Sequence, residues 1–300
     1  MNNKTWFVAG QGSIGSFIAY NAMDKGISCK QIVRDLTQTS QTCFHPINKD
    51  SILLPESLPF SGLVPASIQF LIVPLKAYDI VPFLTQVKPF LAENAAIVLC
   101  HNGLGTIELA TELISDNMDL FFCTTNNGLY KNEQGVFQAG LGESLWSHVA
   151  GLQPEKLTNN DFTSLLGSAN MVNNLQQVLW QKLVINCAIN PLTAINKIKN
   201  GALDQDIYRS SITNIVNETL TVGQAIGVRL KHDQLINKVY QVIQATANNY
   251  SSMYQDVHAH KKTEIDFITG HVVKLGKELG IPTPTSNLIY EQLKTLYNNQ

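Results

Sequence analysis

Thr5–Gly26 reads TWFVAGQGSIGSFIAYNAMDKG, and the order of its parts decides the fold. A short apolar run, Thr5–Ala9, meets Gly10-Gln11-Gly12-Ser13-Ile14-Gly15, and a helix-forming stretch follows to about Lys25. Strand, glycine turn and helix in that order are what a dinucleotide-binding βαβ unit requires. Gly10 allows the tight turn, Gly12 lets the backbone approach a pyrophosphate, and Gly15 lets the helix pack on the strand. The helix N-terminus, with Gln11, Ser13 and Ile14 in the turn, then faces the phosphates. A G-x-G-x-x-G spacing is weak by itself; here the flanking strand and helix carry the assignment.

Working outward, a second strand is expected near Cys29–Val33, ending in Arg34-Asp35, where the residue that reads the adenine ribose belongs. An acid there bonds the 2′-hydroxyl of NAD, whereas an arginine pairs with the 2′-phosphate of NADP. Successive strand residues alternate in direction, so one of the two faces the ribose, and the pair itself leaves open which. Ile68–Leu75 (IQFLIVPL) and Ala95–Cys100 (AAIVLC) read as buried parallel strands. Ligands of open α/β sheets bind at the carboxyl ends of strands, which makes the following Lys76 and Asn102 candidates by position. Residues 120–145 read as further strands and turns, and 151–170 as a mixed connector. From Val172 onward helical periodicity dominates, through Ile212–Ile226, Asp233–Tyr254 and His258–Leu279. The expected architecture is an α/β N-terminal Rossmann domain over residues 1–171, with a mainly parallel, doubly wound sheet, and an all-α C-terminal domain over 172–300.

Within the helical half, Leu179–Ile195 (LWQKLVINCAINPLTAI) sets one lysine and two asparagines in a nearly apolar run. On a helix Lys182, Asn186 and Asn190 recur every fourth residue along one face. Left unpaired, each buried amide costs about 1–3 kcal/mol, and an oxygen-rich ligand would satisfy the set. The structural alternative is a lysine extending from a core helix, with both amides bonded to neighbouring backbone. Pro191 disfavours αR at Asn190, so the helix is expected to end or kink there and turn that amide toward a cleft.

Composition narrows the function classes. The chain has 300 residues, 44% hydrophobic and 15% charged, with a formal net charge of −2. That length and apolar content suit about two domains with a sizeable core. Without a Lys/Arg run, neither a nucleic-acid nor a membrane-surface partner is expected. The odd, scattered cysteines (Cys29, Cys43, Cys100, Cys123, Cys187) suggest neither a disulfide framework nor a zinc site, and a reducing cytoplasm fits best. Trp6–Ala9 meets glycines too soon for a signal-peptide core, and no later apolar run approaches the ~20 residues of a membrane span. His258 and His260 are close in sequence, but no carboxylate or cysteine stands at metal-ligand spacing, so no metal is expected. Glu264 and Asp266, two apart, fall on different faces of a helix and form no paired-carboxylate site.

Taken together, GQGSIG, LIVPLKAYDI, LCHNGLGTIE, LWQKLVINCAINPLTAI, ANNYSSMYQDV and KTEIDFITG resemble, in order and spacing, the ketopantoate reductase (2-dehydropantoate 2-reductase) family, which makes pantoate for pantothenate and coenzyme A synthesis. The resemblance runs through nearly the whole chain. It implies a Rossmann domain for NADPH, a helical domain, and a site for a small 2-oxo acid in the cleft between them. By the same resemblance Lys182 is the catalytic lysine, and Asn186, Asn190, Asn249 and Ser252 hold the substrate's carboxylate and hydroxyl. Asn200 matches another substrate-side amide. Asn102 matches a residue touching nicotinamide and substrate, and Glu264 one that contacts the cofactor and supports the active site. Arg34 and Lys76 match the pair that binds the 2′-phosphate, which favours arginine over Asp35. Where the family carries a threonine-rich turn with small residues, this chain reads Cys123-Thr124-Thr125-Asn126-Asn127-Gly128-Leu129, and Leu129 is a bulkier residue against the nicotinamide. Oligomeric state is not legible in the sequence.

The chemistry is arguable from residue types alone. Hydride delivery to a ketone leaves negative charge on its oxygen, and a nearby ammonium both stabilises that charge and donates a proton. Desolvation lowers the pKa of such a lysine, and Glu264, if close, raises it. Asparagines offer donors and acceptors without a competing charge. Two alternatives use the same residues: a related hydroxyacid dehydrogenase acting on another 2- or 3-oxo acid, and a non-catalytic NADP-sensing protein, which would have no reason to keep both Lys182 and Glu264.

Overall fold

The structure, a computed structural model, describes residues 4–34, 41–158 and 160–298. Asp35 lies outside the described residues. The chain separates into two compact units, one of Met1–His101 and Thr106–Asn173, the other of Asn102–Gly105 and Asn174–Gln300.

In the first unit the elements run β1 (Trp6–Ala9), α1 (Ser13–Asp24), β2 (Cys29–Val33), β3 (Cys43–His45), β4 (Ile52–Leu53), β5 (Leu58–Pro59), β6 (Ile68–Val73), α2 (Ala77–Val87), β7 (Leu91–Leu99), α3 (Ile107–Leu113), β8 (Asp119–Thr125), β9 (Gly128–Asn132), β10 (Gly135–Gly140), β11 (Ser144–Ala150), α4 (Asn160–Leu165) and β12 (Ala169–Met171). Eight described strands form one sheet in the order β12-β11-β8-β7-β6-β1-β2-β5, parallel except where β11 pairs β8. All four residues of β1 are buried, as are five of the six in β6. Such uninterrupted apolar runs are what a sheet covered on both faces demands. After β1 the chain adds β2 on one side and later returns to add β6 on the other, so strand order reverses between β1 and β6. Ligands of open α/β sheets bind in the crevice such a reversal leaves at the strands' carboxyl ends.

A second sheet, β4-β3-β10-β9, does not follow from the reading of 120–145 as generic strands and turns. It exists because α1 has apolar residues on a second side: Phe17, Ala19 and Tyr20 pack with Phe44, Leu54 and Val136, and Leu129 and Ile52 close the cluster. Alternation along β9 and β10 then fixes the faces. Leu129 and Lys131 share the face of Val136, which pairs with Lys131, while Tyr130 stacks on Phe137 at 5.1 Å on the other.

The second unit is helical: α5 (Leu175–Asn196), α6 (Asp206–Ala225), α7 (His232–Ala245), α8 (Ser252–His258), α9 (Thr269–Glu278) and α10 (Pro284–Asn298). Its core gathers Trp180, Leu183, Val184, Cys187, Ala188 and Leu192 of α5 with Ile215, Val216, Leu220, Val239, Ile243, Met253, Val272 and Leu293. By length and composition α5 reaches the threshold for a membrane span, which the sequence reading did not anticipate, and 67% of its most apolar window is buried inside the molecule.

Three helical expectations are corrected. First, α5 runs through Pro191 to Asn196 instead of ending at Asn190. A helical proline costs about 3 kcal/mol, but Ile189, Leu192 and Ala194 are all buried, and unwinding there would expose them. Thr193 Oγ1 also donates to the carbonyls of Ile189 and Asn190, at 3.0 and 2.9 Å. Second, the stretch 233–254 is two helices. The first stops at Ala245, where Thr246, Asn248, Asn249 and Ser251 offer side-chain bonds that compete with a helix. Ser251 then opens α8 as its N-cap, accepting from Tyr254 N–H. Third, 258–279 is broken by His260, left-handed at φ 53°, with Lys261 N–H donating to Asp256 O at 2.8 Å in a Schellman closure.

Candidate active site

The glycine turn is built as its letters require. Gly10 has φ 77°, its N–H donates to Ile32 O at 2.7 Å, and Gln31 Nε2 donates to its carbonyl at 3.2 Å. A Cβ on Gly15 would lie 2.8 Å from Gly10 O and 3.5 Å from Pro74 Cγ, so helix and strand close only on glycine. Gly12 is different. It caps α1 with an ordinary φ of −69°, and a Cβ there would meet nothing within 4 Å. Neither conformation nor internal packing calls for glycine at that position, whereas a pyrophosphate approaching the backbone does. Ser13 and Ile14 begin α1, and the first N–H groups of a helix are anion donors. These residues fit a dinucleotide phosphate.

Two cations stand at the carboxyl ends of β2 and β6 in the same unit. Arg34 follows β2 and Lys76 caps α2, with Asp79 N–H donating to Lys76 O at 2.8 Å. Arg34 also pairs with the Asp79 carboxylate at 2.9 Å. The Asp79 carboxylate therefore accompanies the Arg34 guanidinium at the end of β2. Leu129 is half-buried, and its side chain packs against the cluster over α1. Sequence reasoning missed Lys131, which donates to Gln11 O at 3.0 Å. A single lysine in an alternating strand carries no signal that it reaches a turn 120 residues away.

The remaining candidates all belong to the helical unit. On α5, Lys182 and Asn186 are half-buried and Asn190 is buried, in line along about 12 Å of one helix face. The side-chain amides of Asn186 and Asn190 make no hydrogen bond to any described residue, so the alternative in which backbone satisfies them does not hold. The carbonyl of Asn190 accepts from Thr193 Oγ1 and, at 3.5 Å, from Ser251 Oγ. Thr193 Oγ1 and Ser251 Oγ lie 2.7 Å apart. Ser251 thus ties α8 to α5, while its neighbour Ser252 is exposed at the first position of α8.

Asn200 and Asn249 are brought together. Asn200 N–H donates to Asn249 O at 3.0 Å, and Asn200 Nδ2 donates to Thr246 Oγ1 at 2.9 Å. Asn200 is buried, and its Oδ1 has no partner among the described residues. Asn249 is exposed. Glu264 is only 4% exposed, and its carbonyl accepts the N–H groups of Phe267 and Ile268. The segment carrying Asn102 packs on the same turn: Leu104 N–H donates to Phe267 O at 2.8 Å, and Gly103, at φ 87°, leaves no room for a Cβ, which would lie 2.6 Å from that oxygen. Asp266 takes no part with Glu264. It accepts from Tyr290 Oη at 2.7 Å and Lys294 Nζ at 3.1 Å, and burial together with that carboxylate pushes the Tyr290 phenol up to about 12.

Chemically, one unit offers backbone donors and cations suited to a phosphorylated dinucleotide. The other offers an ammonium, a carboxylate and uncommitted amides suited to a small oxo acid.

Comparison with known proteins agrees. Residues 6–150 match the family model described as Ketopantoate reductase PanE/ApbA, and residues 174–297 match Ketopantoate reductase PanE/ApbA C terminal. The 2-dehydropantoate 2-reductase of Vibrio cholerae is 34% identical over 290 residues, 96% of each chain. Among solved structures, a PanE/ApbA family ketopantoate reductase from Ralstonia eutropha superposes with a TM-score of 0.86 at 21% identity, covering 98% of this chain and 99% of that one. D-mandelate dehydrogenase with NADH and anilino(oxo)acetate gives 0.88 at 19%, with the same coverage, and shares the fold. With both family models matched and a relative at that identity over 96% of each chain, the chain belongs to the ketopantoate reductase family.

Proposed function

We propose that this chain is a cytoplasmic 2-dehydropantoate 2-reductase that uses NADPH, with residues 1–171 as the cofactor domain and 172–300 as the substrate domain. The observation that carries the reading is the stripe on α5: the Lys182 ammonium together with the amides of Asn186 and Asn190, which bond to no described residue, on one face of a largely buried helix. Support for the cofactor comes from Gly12, whose glycine only an approaching ligand explains, and from Arg34 and Lys76 beside the strand ends, where a 2′-phosphate would meet them.

When bound, NADPH supplies a hydride to the ketone carbon. Lys182 meets the charge that develops on the ketone oxygen and donates its proton there, so ketone, hydride and proton give the secondary alcohol. The neutral amine regains a proton from solvent. Asn186, Asn190, Asn249 and Ser252 hold the substrate's carboxylate and terminal hydroxyl, with Asn200 behind Asn249. Asn102 and Glu264 orient the reacting groups.

The test is NADPH consumption by the purified protein across a panel of 2-oxo acids. A clear preference for 2-dehydropantoate is expected. Equal efficiency with 2-oxoisovalerate, which lacks the hydroxymethyl group, would replace this reading with a broader hydroxyacid dehydrogenase, and equal efficiency with NADH would return the ribose to Asp35.

A further inference from the structure

We infer that Lys131 is a positioning residue for the cofactor's pyrophosphate: by holding the carbonyl of Gln11 it fixes the Gln11–Gly12 peptide so that the Gly12 N–H stays presented to a bound phosphate. The inference rests on the reading of the turn as a dinucleotide site.

The carbonyl of Gln11 accepts from Lys131 Nζ at 3.0 Å and, more distantly, from Ser16 Oγ at 3.4 Å. A trans peptide is planar, with its C=O and the following N–H pointing in opposite directions. Donors gathered on the Gln11 oxygen therefore direct the Gly12 N–H away from Ser16 and Lys131, at the one glycine of the turn beside which the structure leaves open space. Glycine is the residue least able to hold its own backbone in place. A turn that gains access from Gly12 needs an external restraint on the peptide before it, and a charge-assisted hydrogen bond is a strong one.

The restraint also explains why the small sheet reaches the turn. Leu129 and Lys131 lie on the same face of β9 as Val136. Leu129 and Val136 pack with Phe17 and Tyr20 of α1, which seats the strand along the helix. Two residues beyond Leu129, the lysine spans the remaining distance to the helix's N-terminal turn. The ammonium adds a positive charge close to where the phosphates bind, a second contribution with the same sign.

The experiment titrates wild type, Lys131→Met and Lys131→Arg with NADPH and with NADH, following quenching of protein fluorescence at low ionic strength, with far-UV circular dichroism as the folding control. Every nicotinamide dinucleotide carries the pyrophosphate, whereas the 2′-phosphate belongs to NADPH alone. Lys131→Met is expected to weaken both cofactors by the same factor, about tenfold, and Lys131→Arg to restore most of the affinity. Loss confined to NADPH would assign Lys131 to the 2′-phosphate and overturn the inference, as would unchanged affinity for both. If wild type bound neither dinucleotide, the cofactor reading itself would fail, a result distinct from either of these. Should Lys131→Met not fold, Ser16→Ala removes the weaker donor on the same carbonyl. A smaller loss, equal for the two cofactors, supports the restraint, and none refutes it.

Discussion

The glycine turn at Gly10–Gly15 and the polar stripe on α5 are both read as ligand sites, yet they depart from ordinary structure in opposite ways. In the turn side chains are removed: Gly10 needs a positive φ, Gly15 cannot carry a Cβ, and what remains to bind is backbone. In the stripe side chains are added against the local rule, since a core helix gains nothing for its packing from Lys182, Asn186 and Asn190. The first kind of site is held in place by sterics and the second by the burial of everything around it. Substitutions should therefore separate them: chemistry lost with the fold intact at the stripe, fold and binding lost together or apart at the turn.

The largest effect is expected at Lys182. Lys182→Ala should lower turnover of 2-dehydropantoate by about 10²–10⁴, the range for a general acid. NADPH affinity, measured by fluorescence titration, should stay near wild type. Near-wild-type turnover would mean that the lysine serves the helix and not the reaction.

Next come the two glycines that the geometry distinguishes. Gly15→Ala places a methyl 2.8 Å from Gly10 O and should cost about 1–3 kcal/mol in urea unfolding, with cofactor binding impaired as a consequence. Gly12→Ala meets open space at an ordinary φ, so stability should change by about 1 kcal/mol or less, while both dinucleotides bind about tenfold or more weakly. If the two variants lost stability and binding in the same proportion, the distinction between a packing glycine and an access glycine would collapse.

A smaller effect is expected at Arg34. Its ion pair with Asp79 is solvent-exposed, and such pairs contribute about 0–1 kcal/mol, so Arg34→Ala should leave the melting temperature nearly unchanged. It should nonetheless weaken NADPH by about tenfold and NADH little if Arg34 reads the 2′-phosphate as proposed, because only NADPH carries that group. Equal losses would place Arg34 away from the 2′-phosphate.

The same contrast explains how much of the molecule the sequence made legible. Strand β2 and the start of α1 were readable because each letter there answers to a local constraint, and the resemblance named candidates along the whole chain. What escaped depends on long-range contact. Lys131 reaches Gln11 only because a second sheet packs on α1, and that sheet pairs strands far apart in the chain. The passage of α5 through Pro191 escaped for a related reason, since a local preference of about 3 kcal/mol is overridden by tertiary burial that no window of sequence displays. Arg34 was legible as a cation at a strand end, but its pairing with Asp79, 45 residues on, was not.

The smallest expected effect concerns two adjacent serines, and it tests the contrast at single-residue scale. Ser251 and Ser252 are indistinguishable as letters, and the resemblance selects Ser252 for the substrate's hydroxyl. The structure gives Ser251 a full set of internal duties: it caps α8 through Tyr254 N–H and meets Thr193 Oγ1 at 2.7 Å in the core. Ser252 stands exposed beside it. Ser251→Ala should therefore cost about 1–2 kcal/mol of stability through the lost cap and the lost contact with Thr193 Oγ1, and any loss of activity should follow from that. Ser252→Ala should leave unfolding unchanged and act on specificity alone. A site built to bond a hydroxyl discriminates against an analogue lacking it because its own polar groups are then left unpaired, and an exposed serine places that contribution at the low end, a few-fold. Comparing kcat/KM for 2-dehydropantoate and 2-oxoisovalerate separates the hydroxyl's polar share from the carbon lost with it: in Ser252→Ala the polar share should shrink while the apolar share persists. If Ser252→Ala kept the full preference and Ser251→Ala lost it without losing stability, the roles of the two serines would be exchanged, and the hydroxyl would be read from inside the helical core.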